Sequence, residues 1–408
     1  MKPLSIYIHI PFCQSKCYYC DFLSAQSSEE EQADYIESLL HEIEIEAPSY
    51  RDYEVRTIFI GGGTPSVLPA ENIVEILCKL KTLFQFSAII SPEISIEINP
   101  GKITSDMLSQ YRGAGINRLS FGLQSTFDEE LKMLGRIHTY QEFLSTYQNA
   151  RNLGFDNINI DLISSIPNQS ITSWKDTLRR VILLEPEHIS AYGLIIEPGT
   201  PFHEKYGLKK SDAIESAEEE QESEIYHATK SVLESNNNMR YEISNYARPG
   251  YECRHNLTYW RRGDYVGFGL GASSLIDNKR WSNIVHLKSY ITIYQGKCRP
   301  LADNKTLKNV KPTVKEKLQV LSIKAQIEEF MFLGLRLTEG IHLTSFKKIF
   351  GRDINEYYAP ILFKLKEQKL IHIDEKTIAL TPYGIDVSNY VLAHFLFDED
   401  TLLFTKSR

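Results

Sequence analysis

The sequence predicts an α/β fold on a parallel sheet, followed by a smaller α+β domain. Over roughly the first 240 residues, six short β-rich runs alternate with helical patterns. Parallel neighbours need a crossover, and a helix after each strand supplies it. Two sheets satisfy that alternation: a doubly wound open sheet, or a partial (β/α)6 barrel. From about Ile327 the pattern changes to three helices, a hairpin and a last helix, the order of a winged-helix-like domain.

LSIYIHI at 4–10 reads as the first strand, rich in Ile and Tyr. The helix after it opens on Ser28 and Glu31, a capping-box pattern, and carries Ala33, Ile36, Leu40, Ile43 and Ala47 at steps of three and four. TIFI at 57–60 is the second strand; it runs into Gly61, Gly62 and Gly63, with a helix from about Glu71. EISIEI at 93–98 is the third, and the short helix after it ends at Gly113 and Gly115. INRLSFG at 116–122 is the fourth, with a helix over about 139–153 stopped by Gly154. NINIDLI at 157–163 is the fifth, before a helix around 174–184. HISAYGLII at 188–196 is the sixth, and a long acidic helix over about 212–236 closes the series. Residues 240–325 are less regular, and a hairpin is expected around 369–381. The expected divisions are 1–246 for the sheet domain, 247–324 for a connecting region and 325–408 for the C-terminal domain.

With 45 Lys and Arg against 53 Asp and Glu, the formal net charge is −8, which argues against general affinity for nucleic acid or anionic membranes. The stretch 297–324 is locally basic, eight Lys or Arg against two acids, and reads as a solvated linker; membrane contact through it is unsupported. No apolar run approaches the ~18 residues of a membrane span. The apolar start is broken by His9 and Pro11 and does not read as a signal peptide, so the expected location is cytoplasmic. Six cysteines in such a chain do not form a disulfide framework. Cys78, on an amphipathic helix, reads as packing, and His9 as a hydrogen-bonded core histidine.

Three of the six cysteines crowd together as Cys13, Cys17 and Cys20, just after the first strand. Structural zinc wants four ligands, usually in two separated pairs, and no second pair exists in the sequence. A 4Fe–4S cluster takes one thiolate per iron, so three cysteines leave one iron open for an amino and a carboxylate group of a ligand. The spacing x3 then x2, within IYIHIPFC…CYYCDF, resembles the radical S-adenosylmethionine (SAM) superfamily. It is similar in particular to the family of oxygen-independent coproporphyrinogen dehydrogenase and its haem-chaperone relatives. The resemblance implies the partial (β/α)6 barrel, a 4Fe–4S cluster, SAM on the open iron, and an electron donor such as flavodoxin or ferredoxin.

On that barrel the strand ends should hold SAM. Gly62 and Gly63 allow close backbone approach, and Thr64 follows them. Glu97 in SIEINP offers a carboxylate to ribose hydroxyls, Gln124 in SFGLQS offers an amide, and Asp161 is a carboxylate in an apolar run that must be satisfied or functional. In the resembled family these positions bind SAM, as do those of Tyr7, Tyr19 and Arg136. Ser164 and Ser165 depart from it, standing where an aromatic and a glycine are usual before the Pro.

Within the family the sequence points to the chaperone branch. The dehydrogenase carries a fourth cysteine where Phe22 stands, and a long segment before the first strand, which here begins at about residue 4. RHNLTYW at 254–260 resembles the chaperone's H-N-x-x-Y-W motif, which implies haem contact at His255, with flat apolar surface from Tyr259 and Trp260. Cys253 is an alternative thiolate ligand. The implied partners are haem and haem-accepting proteins, and a transient dimer is compatible with the family. The dehydrogenase and a radical methyltransferase are the alternative activities.

Overall fold

The structure, a computed structural model, describes residues 1–207, 212–295 and 314–397. Cys298 and most of the basic stretch lie outside the described residues. Six parallel strands lie side by side in chain order: β1 (Lys2–Ile10), β2 (Tyr53–Gly62) with the two-residue β3 (Gln85–Phe86) beside its start, β4 (Glu93–Ile98), β5 (Arg118–Gln124), β6 (Ile158–Ser164) and β7 (His188–Gly193). Helices α1 (Glu29–Glu46), α2 (Ala70–Leu83), α3 (Ser105–Gly113), α4 (Asp128–Met133), α5 (Tyr140–Asn152) and α6 (Ile171–Ile182) make the crossovers. After β7 come α7 (Pro201–Tyr206) and α8 (Asp212–Glu234). The Ser28–Glu31 capping box is formed, and Thr139 with Glu142 makes another at the start of α5. Cys78 is exposed on α2 rather than packed.

Alternation along the strands explains both faces. Ile6, Ile8 and Ile10 of β1 are fully buried in the hydrophobic core, as are Ile58 and Ile60 of β2 and Ile94, Ile96 and Ile98 of β4. The intervening residues are polar or aromatic and face the concave side: Ser5, Tyr7 and His9, then Thr57 and Phe59, then Glu97. Side chains from neighbouring strands stand level there, with Ser5 opposite Thr57 and Tyr7 opposite Phe59. The concave face is therefore lined mostly by hydrogen-bonding groups, where a parallel sheet usually carries aliphatic ones.

The sheet is open, not a closed barrel, and it runs past both ends of the six-strand set. β8 (Met239–Arg240) and β9 (Asn245–Ala247) extend it antiparallel beyond β7. Between them and the next strand lies the short helix α9 (Arg254–Trp260). β10 (Tyr265–Phe268) pairs parallel with β1, and β11 (Ser273–Ile276), β12 (Lys279–Asn283) and β13 (Lys315–Val320) continue antiparallel beyond it. The glycine-rich region thus contributes strands to the main sheet, in runs of four to six residues that are too short to show a period. α10 (Leu287–Tyr294) packs on α1. There the buried Glu42 accepts from Gly269 N–H (2.8 Å), Asn283 Nδ2 (2.6 Å) and the Tyr290 hydroxyl (2.5 Å).

The C-terminal part has its own core and the winged-helix order: α11 (Ile323–Gly334), β14 (Ile341–His342), α12 (Leu343–Phe350), α13 (Asn355–Glu367), the hairpin β15 (Ile371–Ile373) and β16 (Thr377–Leu380), then α14 (Pro382–Asp386) and α15 (Ser388–Ala393). It docks on the end of α9. Arg336 stacks 4.5 Å over the Trp260 ring, Arg261 pairs with Glu339 at 2.9 Å, and Glu329 receives both Arg262 (3.0 Å) and Arg280 (2.5 Å).

Candidate functional site

The C-terminal ends of the parallel strands meet in one pocket. Cys13, Cys17 and Cys20 line it from the loop after β1, with Tyr19 between them. Gly62, Gly63 and Thr64 enter from the end of β2, Glu97 from β4, Gln124 from β5, Asp161 from β6, and Arg136 from the turn after α4. Of the expected SAM-binding residues only Tyr7 is elsewhere, in the cavities beneath. Each glycine of the triplet makes room for a neighbour. A Cβ on Gly61 would meet the Glu97 carboxylate at 3.0 Å, and on Gly62 (φ 116°) the His9 ring at 2.5 Å. On Gly63 it would meet the Phe12 carbonyl oxygen at 2.6 Å and Cys13 Sγ at 2.9 Å.

The polar groups are held from behind. Glu97 Oε2 accepts the Gly62 N–H at 3.0 Å, and burial together with the Asp161 charge pushes its carboxyl up to about 8. Asp161 accepts from Asn159 Nδ2 (2.8 Å) and the Ser120 hydroxyl (3.1 Å), so the buried carboxylate is satisfied; burial still raises it. Arg136 donates to the Gly122 carbonyl (2.6 Å), to Asn99 Oδ1 (2.5 Å) and to Cys17 Sγ (3.5 Å), and its Nε has no hydrogen-bond partner among the described residues. Thr64 Oγ1 is 3.6 Å from Cys13 Sγ. Burial raises the Cys20 thiol.

This donor set fits a cluster. All three thiols are free and border the same pocket, beside the Arg136 guanidinium, which would offset thiolate charge once a cluster is bound. Among the described residues no three His, Cys, Asp or Glu side chains converge tightly enough to hold a single metal ion. A 4Fe–4S cluster spreads its thiolates over different irons and does not need that convergence. Asn99, Ser120 and Gly122 were not singled out in the sequence, yet they line the pocket. Period two along β5 was the available signal, since Ser120, Gly122 and the strand end share a face with Arg118.

The RHNLTYW segment lies at the opposite end of the strands. Thr57, which His255 touches, is five residues before Gly62 on β2, roughly 16 Å along the strand. Glu93, the first residue of β4, caps α9 by accepting the N–H groups of Arg254 and His255, both at 3.0 Å. His255 is buried, with Nδ1 2.7 Å from Thr57 Oγ1 and Nε2 2.8 Å from the Tyr259 hydroxyl. Its ring lies 5.3 Å from that of Phe59, tilted by 33°, and burial and Arg118 hold its basicity down to about 3. Cys253 is fully buried, 3.7 Å from Glu93 Oε1, and burial pushes its thiol up to about 12. Such a thiol is a poor thiolate donor.

Comparison with known proteins places the chain. The radical SAM superfamily model matches residues 7–181, and the HemN C-terminal domain model matches residues 321–387. The heme chaperone HemW of Bacillus subtilis (strain 168) is 35% identical over 392 residues, 96% of this chain and 99% of that protein. HemW of Haemophilus influenzae is 38% identical over 98% of this chain and 99% of its own length. The chain belongs to the HemW family. Its fold is similar to that of the radical SAM enzyme coproporphyrinogen III oxidase (HemN) from Escherichia coli, with a TM-score of 0.80 and 26% identity over 97% of this chain and 90% of that one.

Two features of this HemW-family chain gain meaning from the geometry. Phe22, at the fourth-cysteine position, lines the pocket mouth with much of its ring exposed. Ser165, where the family usually has glycine, has φ 57°, the left-handed region that glycine enters without strain. Among the described residues no helix is long and apolar enough to cross a membrane.

Proposed function

We propose that the chain is a cytoplasmic haem chaperone. In this reading Cys13, Cys17 and Cys20 hold a 4Fe–4S cluster, SAM lies against the strand ends, and haem meets the chain at the α9 segment and passes to acceptor proteins. The observation that carries it is the single pocket joining three free thiols to the Gly62–Thr64 turn, Glu97, Gln124, Arg136 and Asp161. The names of the curated relatives support the haem part. A bound cluster would supply one-electron chemistry, fed by a donor such as flavodoxin or ferredoxin. The chain's own residues orient and shield: backbone at Gly62 and Gly63 approaches the ligand's amino and carboxylate end, Glu97 accepts ribose hydroxyls, and Arg136 offsets thiolate charge.

A second reading, coproporphyrinogen dehydrogenation, is favoured by the likeness to HemN over nearly the whole fold. Phe22 in place of a cysteine stands against it. One preparation separates the two: reconstitute the cluster anaerobically, titrate haem, and assay coproporphyrinogen. Stoichiometric haem binding without loss of propionate carboxyls is the expected result. Decarboxylation promotes the second reading, and absence of both activities sinks the first.

A further inference from the structure

We propose that Arg118 anchors a carboxylate-binding site on the concave face, in a cavity beneath the cysteine pocket that takes a short-chain monocarboxylic acid. The site is independent of haem, and it stands or falls apart from the chaperone reading.

Arg118 opens β5 and shares its concave side with Ser120 and Gly122. Four residues separate it from Gly122 in the cysteine pocket, roughly 13 Å along the strand. It is only 2% exposed, yet it lines a cavity of ≈ 190 Å³. Among the described residues no carboxylate comes within ion-pair distance of its guanidinium, and its Nε has no hydrogen-bond partner. Glu93 and Asp161 act on it only through space. A buried cation without a direct partner is costly, and such a group calls for an anion.

Its polar neighbours are already engaged. Asp161 accepts from Asn159 and Ser120, while Asn159 Oδ1 takes the Ser190 hydroxyl at 3.1 Å and stands 2.6 Å from His188 Nδ1. Tyr7 pairs with His9 at 3.0 Å, and Tyr259 with His255 at 2.8 Å. The guanidinium is the donor left over.

The lining selects the ligand. A planar fork of N–H groups matches the two oxygens of a carboxylate. Glu93 and Asp161 already place negative charge nearby, which disfavours phosphate or sulfate and leaves a monoanion. The volume lies below the roughly 300–1,000 Å³ of drug-sized pockets, so the acid is short. The rings of Tyr7 and Phe59 give its methylene chain apolar wall. Glu97, Ser120 and Asp161 line both this cavity and the cysteine pocket, so the acid's far end points back toward the thiols.

The test is titration of the full-length protein with butyrate labelled with carbon-13 at the carboxyl, read by calorimetry and by the carboxyl resonance. Wild type should bind it saturably with a Kd on the order of 1 mM, the strength open to a ligand of about six heavy atoms. Butyramide, which has the same shape without the charge, should bind at least about tenfold more weakly, and equimolar chloride should not displace the acid. Arg118→Met should weaken binding by roughly 10- to 100-fold, and Arg118→Lys should recover only part of the loss. Circular dichroism checks that each variant is folded. Where Arg118→Met does not fold, the wild type decides: the bound acid should stay ionised roughly one pH unit or more below the free acid. Absence of saturable butyrate binding, equal binding of butyramide, displacement by equimolar chloride, an unshifted ionisation of the bound acid, or unchanged affinity in Arg118→Met each overturns the site.

Discussion

Arg136 stands with one guanidinium nitrogen 3.5 Å from Cys17 Sγ and the other 2.6 Å from the Gly122 carbonyl. It ties the cysteine loop to the end of β5, and it sets a permanent positive charge beside the Cys17 sulfur.

That charge favours the reduced, more negative form of a bound cluster. Arg136→Met should lower the midpoint potential and speed loss of iron and sulfide, while Arg136→Lys should recover the potential only in part, lacking the fork. A redox titration followed by electron paramagnetic resonance reads this directly. An unchanged potential in the Met variant would show that the guanidinium is merely structural.

SAM binding should depend on pH through Glu97. Its carboxyl is pushed up to about 8, and a ribose hydroxyl donating to it prefers the ionised form. Binding is then coupled to proton release: affinity falls by up to about tenfold for each pH unit below 8 and is flat above it. Glu97→Gln should abolish the slope and weaken binding by about 10- to 100-fold, the worth of a hydrogen bond to a charged group. Calorimetry across that range checks both; a slope that survives in the Gln variant points to another group.

Ser165→Gly should stabilise the chain. Its φ of 57° carries a cost of about 1–2 kcal/mol, partly offset by the extra freedom glycine has when unfolded. A net gain of about 0.5–1 kcal/mol should appear as a higher midpoint in urea unfolding. A lower midpoint would mean that the serine makes up its strain elsewhere.

Gly63→Ala should fold yet fail to retain a cluster. The new methyl would stand 2.6 Å from the Phe12 carbonyl oxygen and 2.9 Å from Cys13 Sγ, so the cysteine loop must move. Gly113→Ala is the control, since nothing lies within 4 Å of its Cβ position at the end of α3. Equal iron content in the two variants would contradict the reading.

The strand-end chemistry was legible in the sequence because each polar residue interrupts a run of Ile or Leu. Glu97 in EISIEI and Asp161 in INIDLI stand out for that reason, and both line the pocket. The ends of α1 and α5 could be read from their caps. Two things could not. The pairing of β10 with β1 joins segments about 260 residues apart, and nothing local in YVGF announces it. The location of α9 was hidden as well, because a carboxylate on β4 caps that helix, and cap and first helical residue are 161 positions apart along the chain. Spacing revealed which residues share chemistry, and only the fold revealed that His255 is fastened at the far end of the strands from Cys13.

The β1–β10 pairing also has a consequence for synthesis. β1 leaves the ribosome well before β10, so one of its two edges stays unpaired until residues 265–268 emerge. Closing so long a loop delays that contact, and an open edge invites pairing with other chains. The strand leading into the cysteine loop therefore gains its second neighbour only after about 260 further residues are made. Iron and sulfide offered to a shorter nascent chain would meet cysteines whose supporting strand is still unpaired on one side.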